Sequence, residues 1–187
     1  MASESLAALR ERPFELLLGL EEAILGEEFG ARRINANLWV GVACRLGRYH
    51  LICSRAEVRE VITWPGASRV PRAKPWLMGL ANIRGQLLPL TNLARWAGLG
   101  ESPVTRSSRI IVVNHSEIPA GLLVDQVVGF RRFTPEDAPK PALAPAAAMP
   151  EMLTPFLLGA YERDNETWAV LSLRDLVESE AFLQAAS

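Results

Sequence analysis

The side chains most able to carry chemistry in this chain are two histidines, two cysteines and one arginine within an apolar run. His50 and Cys53 form an H-x-x-C pattern on a predicted strand, where they point to opposite faces and cannot share a metal ion. His115 has neither a second histidine nor a cysteine pair at metal-ligand spacing. Cys44 and Cys53 flank a predicted hairpin turn, and we expect reduced core thiols there rather than the alternative, a cross-strand disulfide. We therefore expect no metal and no cofactor.

The sequence also lacks the motifs that mark catalysis or nucleotide binding. It has no G-x-S-x-G, no phosphate-binding P-loop and no G-x-G-x-x-G. The carboxylate pairs Glu21/Glu22 and Glu27/Glu28 fall on a predicted helix, where they are typical of a solvated face. A net charge of −1 without a Lys/Arg-rich run argues against nucleic-acid binding. We expect a protein that is not an enzyme.

The same composition bears on the compartment. No stretch approaches the ~18 uninterrupted apolar residues of a transmembrane helix, so we expect no direct insertion into a membrane. We also identify no signal peptide, because the apolar stretch Leu16–Leu20 is followed at once by Glu21 and Glu22. These observations predict a cytoplasmic protein.

The arginine lies in the most informative stretch of the chain, Trp76 to Arg95, where two apolar segments are joined through Arg84 and Gly85. A glycine after a strand usually supplies a turn or a bulge. Pro89 lies in the second segment, so that strand must be at a sheet edge or leave its ladder there. Arg84 either closes the turn by bonding backbone carbonyls or contacts a partner.

The elements around this stretch predict a mainly β fold. Residues 1–36 have a helical period from Pro13 onward and are predicted to form an N-terminal helical extension, which packs on its own domain or docks on a partner. Residues 37–187 form the domain, in which Gly129 is predicted to be a bulge. A final helix over 174–184 is expected to direct Leu176, Val177, Ala181 and Phe182 (or Leu183) to the core. The other predicted strands are 38–46, 49–54, 57–64, 109–114, 119–125, 126–133, 156–162 and 166–173.

Two further features concern the surface. The polar segment 67–75 carries Arg69, Arg72 and Lys74 and is predicted to be a solvated loop. Five tryptophans are many for 187 residues. Most are expected in the core, with one or two as partner anchors, because tryptophan is enriched at binding hot spots. The five are Trp39, Trp64, Trp76, Trp96 and Trp168.

One block of the chain reads Gly79-Leu80-Ala81-Asn82-Ile83-Arg84-Gly85, followed by Leu87-Leu88-Pro89-Leu90 and Asn92-Leu93-Ala94. This block resembles the core motif of the CheW family of chemotaxis coupling proteins. Ile83 replaces a leucine, Asn92 an aspartate and Ala94 an arginine, so any ion pair between the last two is absent here. The family's Val-x-Glu-Ile element resembles Val58-Arg59-Glu60-Val61. Its Val-Val-Asp-x-Val element resembles Leu123-Val124-Asp125-Gln126-Val127.

The resemblance covers about residues 38–184 and implies two small five-stranded SH3-like β-barrels that share a core. It implies a non-catalytic adaptor that binds the cytoplasmic tip of a methyl-accepting chemoreceptor and the regulatory domain of a CheA-type histidine kinase. Arg84, Val58 and Glu60 match family residues at the receptor groove between the barrels, where Asn82 and Gly85 accompany them. Because side chains alternate along a strand, Arg59 and Val61 should face away from Val58 and Glu60.

The segment Pro13–Leu17 resembles the leader of the PilI-type adaptors, which serve type IV pilus systems and twitching motility. Such a protein would be membrane-associated only through receptor arrays. The alternatives are a flagellar chemotaxis coupling protein and a regulatory module that binds a ligand between the barrels.

Overall fold

The structure of the chain is a computed structural model that describes residues 39–133, 149–163 and 166–185. The predicted N-terminal helical extension, and with it the domain boundary after residue 36, lies outside the described residues. No helix among the described residues is long and apolar enough to cross a membrane. The strands are β1 (Trp39–Leu46), β2 (Tyr49–Ser54), β3 (Val58–Ile62), β4 (Leu77–Ile83), β5 (Gln86–Asn92), β6 (Arg109–Val113), β7 (Gly121–Val124), β8 (Gln126–Phe133), β9 (Leu157–Arg163) and β10 (Glu166–Leu171). The helices are α1 (Leu93–Trp96), α2 (Leu173–Glu178) and α3 (Glu180–Leu183).

The strands form two five-stranded sheets, which confirms the predicted mainly β fold with two subdomains. The first sheet has the order β8-β1-β2-β10-β9, and the second has the order β3-β6-β7-β5-β4. Neighbouring strands are antiparallel except for β2 with β10 and β5 with β7, which are parallel. The second sheet is therefore built from one continuous stretch of chain, and the first sheet from the segments on either side of it.

Buried side chains fall into three clusters, one specific to each sheet and one shared between them. The shared cluster joins one face of each sheet to the helices. The opposite faces carry the two smaller clusters. The cluster of the first sheet consists of Ala43, Ile52, Tyr161, Trp168 and Val170. The cluster of the second sheet consists of Ala81, Ile83, Leu88, Leu90, Ile110, Val112 and Leu123.

Burial on both faces explains the apolar runs of the sequence. In β7 every side chain is buried, and in β6 only Arg109 is not. An antiparallel strand with one solvated face would alternate apolar and polar residues, whereas these strands read as continuous Val, Ile and Leu. The predicted hairpin of these two strands is confirmed by their antiparallel register.

Pro89 lies on an interior strand rather than at a sheet edge. Of the two predicted environments, the structure therefore has the second, in which the strand leaves its ladder at the proline. β5 lies between β4 and β7, but its parallel ladder with β7 begins only at Leu90, which pairs with Gly121. Proline has no N–H to donate, so it is accommodated immediately before the ladder starts. The predicted bulge at Gly129 is also confirmed, because the β1–β8 register shifts between Ala43 and Cys44 opposite it.

The prediction of a single C-terminal helix over 174–184 is wrong, because the structure has two short helices that meet at Ser179. Ser179 is extended, with ψ of 143°, and its hydroxyl accepts a hydrogen bond from the N–H of Phe182 at the start of α3. Serine competes for backbone donors in this way and favours a cap over a helix interior. Ala181, which the single helix would direct inward, is exposed, while Phe182 is buried.

Cys44 and Cys53 are buried free thiols, as predicted. The pKa of the Cys53 thiol is raised above its ordinary value, mainly by the hydrogen bond with Cys44 and next by burial. A thiol with a raised pKa is a poor nucleophile and a poor metal ligand. Cys53 therefore contributes packing rather than reactivity.

Three polar side chains fasten the second sheet to the elements of the first. Asp125, between β7 and β8, accepts hydrogen bonds from the N–H of Gly47 and the hydroxyl of Ser102. Glu57, just before β3, accepts from the N–H of Leu173 at 2.9 Å and so caps α2. His115 lies 2.9 Å from a carboxylate oxygen of Glu178, also on α2. Helix α2 is thus held to the second sheet at both ends.

Candidate functional site

Arg84 lies at the tip of the β4–β5 hairpin, in a two-residue turn with Gly85. Both residues have positive φ angles, +54° and +84° respectively, as in a type I′ turn. Ile83 and Gln86 pair directly across the turn. The side chain of Arg84 is 80 % exposed, and its Nη2 lies 2.9 Å from Oε2 of Glu60 on β3. The structure therefore brings Arg84, Gly85 and Glu60 together at one surface.

Arginine is an unusual residue for this turn. A left-handed conformation costs a residue with a Cβ about 1 kcal/mol or more, which is why asparagine and glycine dominate type I′ turns. An exposed ion pair such as that with Glu60 restores less than ~1 kcal/mol. Among the described residues, no backbone carbonyl accepts a hydrogen bond from the Arg84 side chain. The geometry thus presents a guanidinium to solvent at a net cost in stability, as backbone strain at functional sites often does.

The remaining contacts around the turn fix its shape. The side-chain oxygen of Asn82 accepts a hydrogen bond from the N–H of Gly85 at 2.8 Å, so this predicted site residue stabilises the turn itself. Nη1 of Arg59 donates to Oε1 of Gln86 at 2.9 Å. An open depression of about 470 Å³ is lined by Arg59, Glu60, Ile83, Arg84 and Gln86. Side chains here bridge β3, an edge strand of the second sheet, to the turn of the β4–β5 hairpin and to the start of β5.

Arg59 and Gln86 belong to this surface, although the sequence pattern did not assign them to it. Alternation along β3 predicts Arg59 and Val61 on the face opposite Val58 and Glu60, and the burial of the strand does alternate in this way. At the depression, however, Arg59 and Glu60 both line the surface. The register with β6 shifts between Val58 and Glu60, so Arg59 is the extra residue of a β-bulge. A bulge changes the direction of the side chain of its extra residue, and nothing in the local sequence signals this bulge. Gln86 could have been found, because a two-residue turn necessarily places it beside Arg84.

Val58 is the predicted site residue that the structure does not bring to this surface. Its side chain is 3 % exposed and belongs to the cluster shared by the two sheets. It adjoins Arg59 and precedes Glu60 on the strand, so it positions their backbone. Any contribution of Val58 to partner binding would be indirect.

Two residues that depart from the family motif are buried, and their uncharged side chains suit these buried positions. Asn92 caps α1 by accepting from the N–H of Arg95 at 3.0 Å and donates to the carbonyl of Ser102 at 2.9 Å. An aspartate could accept the first bond but could not donate the second. Ala94 is 4 % exposed, where an arginine would be costly without a partner.

Replacing Arg84 with asparagine is expected to raise the free energy of unfolding by about 1 kcal/mol, because asparagine tolerates the left-handed turn. The midpoint of thermal unfolding should rise by roughly 2–4 °C, measured by circular dichroism. Arg84→Ala is the matched control, because it removes the ion pair with Glu60 but retains the strain. An asparagine variant no more stable than the alanine variant would contradict the strain argument.

The groups present at the site indicate what it can bind. No group of three or more His, Cys, Asp or Glu side chains that could hold a metal ion occurs within the described residues. What the surface offers is an exposed guanidinium, a carboxylate and hydrogen-bonding groups around an open depression. This arrangement suits recognition of another macromolecule, in which arginine is a frequent anchor.

The structure thus consists of two five-stranded sheets that share a core, with a charged hairpin tip at one surface. The family model of the CheW-like domain matches residues 41–181. The chain belongs to the CheW family. The structure is similar to the crystal structure of the scaffolding protein TtCheW from Thermoanaerobacter tengcongensis, with a TM-score of 0.65 at 23 % identity, over 76 % of this chain and 94 % of that one. That likeness supports the fold.

Within the family, the chain is similar to the protein PilI of Pseudomonas aeruginosa, with 33 % identity over 94 % of this chain and 97 % of that protein. The chemotaxis protein CheW of Bacillus subtilis is 32 % identical over 39 % of this chain and 47 % of that protein. Because the match to PilI covers 94 % of the chain, it includes most of the N-terminal segment. The predicted resemblance to PilI-type members is confirmed.

Proposed function

We propose that this protein is a non-catalytic adaptor that couples a methyl-accepting chemoreceptor to a CheA-type histidine kinase in a chemosensory array. The array would control twitching motility through type IV pili. Membership of the CheW family supports the coupling role. The similarity to PilI along nearly the whole chain favours a pilus system over the flagellar alternative. Binding to the cytoplasmic tip of the receptor would place the protein in the cytoplasm, next to the membrane but not in it.

The observation that carries the receptor-binding part of this proposal is the exposed Arg84 on its strained turn. Its charge is only partly compensated by Glu60, and both side chains border an open depression that a receptor helix could contact. We propose that Arg84 and Glu60 contact the receptor directly. Asn82 and Gly85 would hold the turn in shape, and Val58 would position β3.

The test is titration calorimetry of the full chain with a soluble receptor-tip fragment from a type IV pilus system. The wild type should bind, and Arg84→Glu should bind at least about tenfold more weakly, which corresponds to about 1.4 kcal/mol. Arg84→Asn should also lose affinity although its fold is expected to be more stable, which separates recognition from folding. Arg48→Glu, an exposed arginine at the β1–β2 turn, is the matched control and should bind normally.

Two outcomes would count against the proposal in different ways. If the wild type binds neither the receptor fragment nor the regulatory domain of the kinase, the coupling function is wrong. If wild type and both Arg84 variants bind the receptor equally, the coupling function stands, but Arg84 is a structural residue. Binding of the kinase domain by every variant would show that the variants are correctly folded.

A further inference from the structure

A second charged surface lies at the end of the second sheet away from Arg84. Two open depressions of about 460 and 590 Å³ adjoin there and share Trp64 and Val104 as lining residues. Leu77, at the start of β4, lines the first of these depressions, whereas Arg84 follows the end of the same strand. Seven strand residues separate these ends by about 20 Å. We name this surface, formed by the two depressions, the basic groove.

The lining of the basic groove is strongly biased toward positive charge. Among the described residues that line the groove are five cationic side chains and a single carboxylate, that of Glu101. Glu101 lies 3.5 Å from one of the five, Arg95, and so compensates only that charge. The chain as a whole has a net charge of −1, so the bias is local. The five cations are Arg69, Lys74, Arg95, Arg106 and Arg109.

The cations are spread along the groove rather than directed at one point. Arg69 and Lys74 line one depression, and Arg106 and Arg109 line the other. A small anion would need convergent donors, whereas separated cations match an extended chain with several carboxylates. Arg109 donates to the carbonyls of Arg106 and Ser108, which holds its charge beside the second depression.

An apolar centre lies between the two charged ends. Trp64 is partly exposed and lines both depressions, and Val104 beside it is 39 % exposed. A partly exposed tryptophan with arginines around it is a common composition of a protein-binding hot spot. We propose that the basic groove binds an acidic segment of a partner protein, with carboxylates on the cations and an apolar side chain against Trp64. This proposal is independent of the receptor-binding proposal, because the two surfaces share no residue.

The test uses the full chain and a fluorescein-labelled peptide of glutamate and leucine as the probe, followed by fluorescence anisotropy. The triple variant Arg69→Glu, Lys74→Glu and Arg106→Glu should weaken binding at least about tenfold, since each reversal turns an attraction into a repulsion. The matched control is Arg45→Glu, Arg48→Glu and Arg174→Glu. It changes the net charge equally at exposed positions elsewhere and should leave the affinity unchanged.

Two further measurements separate the proposed occupant from others. Trp64→Ala should weaken binding of the glutamate–leucine peptide more than binding of polyglutamate, because only the first peptide has apolar side chains. Higher salt should weaken both. The proposal is overturned if the wild type does not bind the peptide, or if the two triple variants are affected equally. Tighter binding of a single-stranded oligonucleotide through the same cations would also overturn it, in favour of a nucleic acid.

Discussion

Replacing Gly79 with alanine is expected to lower the free energy of unfolding by about 3 kcal/mol. Gly79 has φ of +144°, which residues with a Cβ rarely adopt, at a cost of about 1–3 kcal/mol. A Cβ at this position would also overlap the backbone carbonyl of Ser68. That carbonyl accepts from the N–H of Leu80 at 2.9 Å, and the N–H of Ser68 donates back to Leu80 at 2.9 Å. Ser68 therefore cannot move away without loss of two hydrogen bonds.

The measurement is thermal unfolding of the full chain, in which the midpoint should fall by roughly 10 °C. Gly98→Ala is the matched control, because Gly98 has φ of +77° but only open space within 4 Å of the position that a Cβ would take. This variant should lose only about 1 kcal/mol, the cost of the backbone conformation alone. Equal losses in the two variants would show that the overlap with Ser68 has no effect on stability.

Truncation of Leu176 to alanine is expected to destabilise the protein by about 3 kcal/mol, within the range for buried leucines. Leu176 is fully buried at the centre of α2 and belongs to the cluster that the two sheets share. Helix α2 is held at both ends by Glu57 and His115, so it cannot collapse easily into the space left behind. The cost should therefore include the cavity as well as the lost burial.

Urea unfolding followed by tryptophan fluorescence measures this loss. Leu183→Ala is the control for the same chemical change, because Leu183 is 54 % exposed on α3 and should change stability by less than about 0.5 kcal/mol. If Leu176→Ala is as mild as this control, the shared cluster does not hold the two sheets together in the way the burial indicates.

Much of the fold could be predicted from the sequence because the signals were local. Alternation and turn residues located the strands, and Gly85 marked the tight turn beside Arg84. The proline in β5 restricted that strand to a sheet edge or to a break in its ladder, and the structure has the second of these. The family motif then supplied what alternation cannot, the division of the strands between two sheets that share a core.

The parts that could not be predicted depend on contacts distant in sequence. The bulge at Arg59 arises from its pairing with β6, and only that pairing reveals that Arg59 lies beside Glu60 and Gln86. Val58 shares a motif with Glu60 but packs into the core, a distinction that requires the position of the other sheet. The basic groove likewise collects cations from the segment between β3 and β4, from α1 and from the start of β6, and none of these forms a charged run in the sequence.

The discontinuous construction of the first sheet has a consequence for synthesis on the ribosome. All five strands of the second sheet, from β3 to β7, have been made once residue 124 has emerged, and they can pair with one another. The hairpin of β1 and β2 appears earlier but must wait for β10, which ends at Leu171, before its parallel ladder can form. A two-stranded hairpin is marginally stable alone, and this one is apolar on both faces. We therefore expect the nascent chain to fold from its middle outward, with its first hairpin exposed to chaperones until the last strands arrive.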